Sequence, residues 1–158
     1  MFSTILETFF VQKKSTENHL IGFEDVLKFI KIRKNRDLVN KNHRKYVIIN
    51  TLPANEQNLL IEETLLESTE EKTINQFIED YEMEDVNIIV YGKNSADGSV
   101  WEKHRQLLKL GFREIYIYSG GLFEWLLLQE TYGVNEFPTT AKCGDILHYR
   151  ALPHCIKN

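Results

Sequence analysis

The chain has 158 residues, 42% of them hydrophobic and 27% charged, and carries a net charge of −4. One domain with a core that needs no disulfide or metal fits that length, and no apolar run is long enough to cross a membrane. The acidic balance argues against nucleic acid as a general partner, so none is expected.

The charge is unevenly spread. Lys31 to Lys45 is basic with Asp37 its sole acid, and Glu56 to Asp85 is acidic with Lys72 its sole base. The plain reading is two solvated stretches. The sharper one is a contact between copies of the chain, or a patch for a protein partner, that salt would weaken. The opening segment MFSTILETFF lacks the basic region and cleavage site of a secretion signal. A cytoplasmic location is therefore expected, with Cys143 and Cys155 as reduced thiols.

In chain order, residues 1–20 read as an arm carrying Ile5, Leu6, Phe9 and Phe10. Phe23, Val26, Leu27 and Ile30 follow helical spacing and predict a helix to about Ile32, with a loop through the basic stretch. Tyr46–Asn50 is a β-branched run, the pattern of a strand buried on both faces. Pro53 ends it, Asn55–Asn58 reads as an exposed connection, and Leu59–Ile61 as a short strand or turn. Ser68 to Glu71 fits a capping box opening a helix with Ile74, Phe77, Ile78 and Tyr81 on one stripe.

Asn87–Tyr91 predicts the next buried strand, followed by the polar loop from Gly92 to Ser99. Ser99 to Glu102 reads as a second capping box, opening a helix with Val100, His104, Leu107 and Leu108 on or near one face. Leu110-Gly111 stops that helix and Phe112 covers its end. Ile115–Tyr118 is a strand, Gly120-Gly121 a turn, and Leu122–Gln129 a largely buried helix in which Leu126, Leu127 and Leu128 are core. Gly133 closes it, and Asp145–Tyr149 predicts one more helical turn. Alternating strands and helices imply an α/β fold with a parallel sheet and right-handed crossovers. In such a fold a ligand site belongs at a strand's carboxyl end facing a helix N-terminus, which points to the loop 92–99.

Several of these residues together resemble a known family. The segments Ile48-Ile49-Asn50-Thr51-Leu52, Ile89-Val90-Tyr91 with its loop, Leu110-Gly111-Phe112, Ile115–Tyr118 and Gly120-Gly121-Leu122-Phe123-Glu124-Trp125 follow the order of a rhodanese-like domain over roughly residues 21–130. The tail Glu136-Phe137-Pro138-Thr139-Thr140 resembles a divergent eukaryotic or large-virus branch. The resemblance implies a three-layer α/β domain, a parallel central sheet with helices on both faces, over residues 21–133. Residues 1–20 are then an arm and 134–158 an extension packed on the domain. It also implies a loop that cradles an anionic substrate, headed in active members by a cysteine that carries a persulfide.

This chain departs from that pattern at the chemistry. Gly92 stands at the cysteine's place, no cysteine lies in Gly92–Ser99, and Lys93 is the loop's one base. Asn50 and Leu52 stand where the family's first strand carries Asp and Arg. Sulfur transfer needs a thiolate of lowered pKa, and the loop has no thiol to lower. Asp97 adds a negative charge where an anion would sit, or serves more plainly by binding loop N–H groups.

Substitutes are weak. Ser95 has no adjacent base, and His104 points down its helix. Cys143, His148, His154 and Cys155 are two thiols and two imidazoles in a spacing that fits no structural zinc pattern. The expectation is a rhodanese-like domain with no catalytic residue, no metal and no cofactor. Its role is binding, regulatory or structural, with a small-anion site in Gly92, Lys93, Asn94, Ser95, Ala96, Asp97, Gly98 and Ser99. The alternatives are sulfur transfer through a cysteine outside the loop, or self-assembly through the basic 31–45 and acidic 56–85 segments.

Overall fold

The computed structural model describes residues 19–35 and 44–153. Its elements are β1 (Leu20–Ile21), α1 (Phe23–Lys34), β2 (Lys45–Asn50), α2 (Glu67–Glu79), β3 (Val86–Tyr91), α3 (Ser99–Lys109), β4 (Glu114–Tyr118) and α4 (Gly121–Tyr132). Short 3-10 turns at Ala54–Glu56 and Ile146–Tyr149 complete it. The four strands are parallel in the order β1-β4-β3-β2. The chain crosses from one edge to the other through α1, then steps back through α2 and α3. Right-handed crossovers in opposite directions put α1 and α4 on one face and α2 and α3 on the other.

Strand alternation divides the core accordingly. Ile48, Ile89, Tyr91 and Tyr118 face Val26 and Ile30 of α1 and Leu122, Trp125 and Leu126 of α4. Val47, Ile49, Ile88, Val90, Ile115 and Ile117 face Ile74 and Phe77 of α2 and Val100 and Leu107 of α3. All six residues of β3 are buried, so the strand that leads into the loop is the most enclosed.

Most expected elements are present, with informative differences. β1 escaped the sequence reading because two residues carry no period. Of the arm expected over residues 1–20, residues 1–18 lie outside the described residues, as does most of the basic stretch, 36–43, while Leu20 belongs to β1. Helix α1 runs on to Lys34 because its basic last turn complements the helix dipole.

Neither capping box forms. Helix α2 starts at Glu67 and α3 at Ser99, so both serines already have helical backbone and cannot act from the cap. Leu108 and Leu127, expected inside, are 40% and 45% exposed, because each falls one position off its helix's buried stripe. The connection around Asn55–Asn58 is not wholly exposed: Glu56 and Gln57 turn inward.

The stop after α3 is as the sequence suggests. Gly111 at φ 103 turns the chain, its N–H reaches Leu108 O, the Phe112 N–H reaches Leu107 O, and Phe112 is fully buried. Beyond α4 the chain returns across the α1/α4 face. Trp125 Nε1 donates to Pro138 O at 3.2 Å, Thr140 N to Leu60 O at 2.9 Å, and the Phe137 ring sits 5.1 Å from that of Trp125. Asp145 caps the last turn by accepting the Leu147 N–H, and Tyr149 is buried.

Candidate functional site

The loop between β3 and α3 opens at the carboxyl end of the central strand, where the fold directs ligands. Its lowest point is Gly92. A Cβ there would lie 2.5 Å from Asp97 Oδ2 and 2.9 Å from Val100 Cγ1. Asp97 folds inward rather than out. Its Oδ2 accepts the Lys93 N–H at 2.9 Å, and its Oδ1 accepts the Ser99 N–H at 3.0 Å and lies 2.5 Å from the Ser99 hydroxyl. The first N–H of α3 and the N–H just after Gly92 thus converge on an internal carboxylate.

The other groups of the loop are also engaged. Carbonyls of Gly92 and Lys93 accept the Leu122 and Phe123 N–H groups, each at 2.9 Å, so the amino end of α4 closes on the loop. Gly121 permits that approach: its φ is 64, and a Cβ would meet Gly92 O at 2.7 Å. Asn94 Nδ2 donates to Tyr149 O at 2.9 Å, and its Oδ1 accepts the Ala96 N–H. Ser95 and Ala96 are exposed at the tip.

Lys93 does not face an open cradle. Its Nζ lies 3.0 Å from Oε1 and 2.9 Å from Oε2 of Glu56, beside the Tyr149 ring at 5.8 Å. His148 Nε2 stands 3.7 Å from the same carboxylate.

The end of β2 has become an amide lattice. Asn50 Nδ2 donates to Gln57 Oε1 at 3.0 Å, Gln57 Nε2 donates back to Asn50 Oδ1 at 2.7 Å, and the Leu52 N–H reaches Asn50 Oδ1 at 3.1 Å. Leu52 is buried in the α1/α4 core. Thr51 Oγ1 lies 2.7 Å from Ser99 Oγ and joins β2 to the loop's far end.

Beneath the loop, Tyr91 uses its hydroxyl structurally. It accepts the Ile61 N–H at 3.1 Å and lies 2.9 Å from Thr64 Oγ1, and burial pushes its pKa well up. Glu56, Gln57, Thr51 and Tyr91 were not singled out from sequence. Among them only Gln57 carried a usable signal, an amide seven residues beyond a buried-strand Asn.

Next to the loop a cavity of about 820 Å³ runs between α2 and α3. Thr51 and Ser99 lie at one end. Glu67, Glu70, Glu71 and Glu102 line it with Lys103, whose ammonium is 2.6 Å from Glu70 Oε1. The remaining candidates lie apart. His104 is buried on the inner face of α3 beside His19. Cys143 is half-buried against the α1/α4 core, and burial, followed by the charges of Asp145 and Glu130, raises its thiol pKa. His154 and Cys155 lie outside the described residues. Among the described residues no group of three or more His, Cys, Asp or Glu side chains is placed to hold a metal ion, and no helix is long and apolar enough to cross a membrane.

Fold and site define a doubly wound parallel α/β domain with a strand-loop-helix cradle at the end of its central strand. A family model described as Rhodanese-like domain matches residues 55–128, from the turn after β2 into α4, so over that stretch the chain is similar to a rhodanese-like domain. No curated protein matches it.

Proposed function

We propose that this is a catalytically silent rhodanese-like domain with a binding or regulatory role, its scaffold retained and its anion cradle filled from within. One observation carries the reading: the Asp97 carboxylate sits against Gly92, where active relatives place the thiol, and takes the N–H groups of Lys93 and Ser99. A persulfide needs both a sulfur at that point and free donors around it, and here the same carboxylate displaces both. Lys93, neutralised by Glu56, and the acidic lining of the neighbouring cavity reinforce the exclusion of an anionic donor such as thiosulfate.

Transfer through Cys143 finds no support in its surroundings, because a raised pKa leaves little thiolate at neutral pH. The test is a thiosulfate:cyanide sulfurtransferase assay together with intact mass after thiosulfate. The expected result is no turnover and no added sulfur. Turnover abolished by Cys143→Ser or Cys155→Ser, with a persulfide on that residue, would overturn the reading.

A further inference from the structure

Among the described residues, β1 is two residues long, lies at the sheet edge and pairs with β4 alone. Such a strand opens locally at little cost unless something fastens it. The fastening is His19, directly before it. Its carbonyl accepts the Ile117 N–H at 2.6 Å, and its Nδ1 lies 2.6 Å from Ile115 O. A carbonyl only accepts, so Nδ1 carries the proton of that contact.

The His19 ring packs edge-on against His104, with centroids 5.3 Å apart at 66°. His104 is 6% exposed, and its Nε2 has no hydrogen-bond partner among the described residues. Around the pair stand Trp101 and Arg105 of α3 and Tyr116 of β4, whose hydroxyl donates to Glu114. Arg44 and Asp25 lie farther out, around Tyr116. Glu114 is thus already held by Tyr116.

We infer that His19 and His104 form an acid-released clasp on β1: protonation of His104 frees the strand and uncovers the hydrogen-bonding edge of β4. A charge on His104 would be buried without a partner, beside a second imidazole and the Arg105 guanidinium. Burial, His19 and Arg105 each hold its pKa below the ordinary 6.5. A His with a depressed folded pKa stabilises the closed state above the free value and loses that contribution as pH falls. The clasp is therefore intact above pH 6.5 and weakens from there toward the depressed pKa.

Amide exchange of the whole chain, expressed as protection factors between neutral and mildly acidic pH, tests this. Ile117, whose N–H is held by His19, should lose protection by up to about tenfold per pH unit, one proton's worth. Val90 in the central strand should hold its own. His104→Phe, which keeps a ring but cannot titrate, should keep Ile117 protected. Should that variant fold poorly, the imidazole titration of His104 in the unaltered protein decides, and a midpoint below 6.5 is expected. A midpoint at or above that value, or equal loss of Ile117 protection in His104→Phe, would sink the clasp.

Discussion

At the scale of single residues, Asp97 is a structural cap and, in the function proposed above, a stand-in anion. It accepts from the Lys93 and Ser99 N–H groups and lies against the Ser99 hydroxyl, so removing it leaves donors at the foot of α3 without an acceptor. Asp97→Ala should lower stability by about 1–2 kcal/mol, the usual cost of losing such a cap. The same change empties the space beside Gly92 and frees two converging N–H groups at a helix start, an arrangement that attracts oxyanions. Sulfate should therefore raise the Tm of Asp97→Ala more than that of the unaltered protein, over and above sulfate's general salting effect on both. An equal rise in the two proteins would show that Asp97 does not occupy an anion site.

At the scale of elements, the parts most legible in the sequence were those with a period and a stop. Val100 and Leu107, with Leu110-Gly111-Phe112 after them, carried α3 and its termination. The unbroken Ile88–Tyr91 run marked a strand covered on both faces. β1 was unreadable because its place depends on pairing with β4 rather than on its own two residues. The capping serines misled for a related reason: a Ser-x-x-Glu string fixes a helix start only to within a turn, and here Asp97 and the backbone did the work instead.

That residues 92–99 hold no cysteine was legible in the sequence. The inward fold of Asp97 was not, because it depends on the space left by Gly92. Helix α4 shows how closely this element is fitted. Gly121 brings its first turn against the loop carbonyls, and Trp125, fully buried, packs edge-on to Tyr118 and Phe137 and donates to Pro138 O. Trp125→Ala should cost about 3–5 kcal/mol, because the hole cannot close around a sheet, a helix and the returning chain at once. Chemical denaturation would measure it. A cost near 1 kcal/mol would mean that the C-terminal segment collapses into the space and is not fixed by that ring.

At the scale of the molecule, three cations at the described ends of the basic block pair with the acidic block within the chain. Arg33 meets Glu63 at 3.1 Å and also donates to Tyr46 O, Lys34 meets Glu62, and Lys45 meets Glu82. These contacts tie the end of α1 and the start of β2 to the turn around residues 62–63 and the segment after α2. They join the two edges of the acidic stretch to the two ends of the basic one. Each pair is at least partly solvated, so each contributes little to stability and is weakened by salt.

The same pairing leaves fewer of these charges for a second copy of the chain. Association that used Arg33, Lys34 or Lys45 would have to break these internal pairs first, exchanging one set of ion pairs for an equivalent set with no net gain. Sedimentation velocity at about 0.02 M and about 0.5 M salt, conditions in which the screening length falls several-fold, should therefore give one sedimentation coefficient. A faster species confined to low salt, and lost in a Lys34→Glu variant, would show instead that the blocks prefer a neighbour's charges to their own.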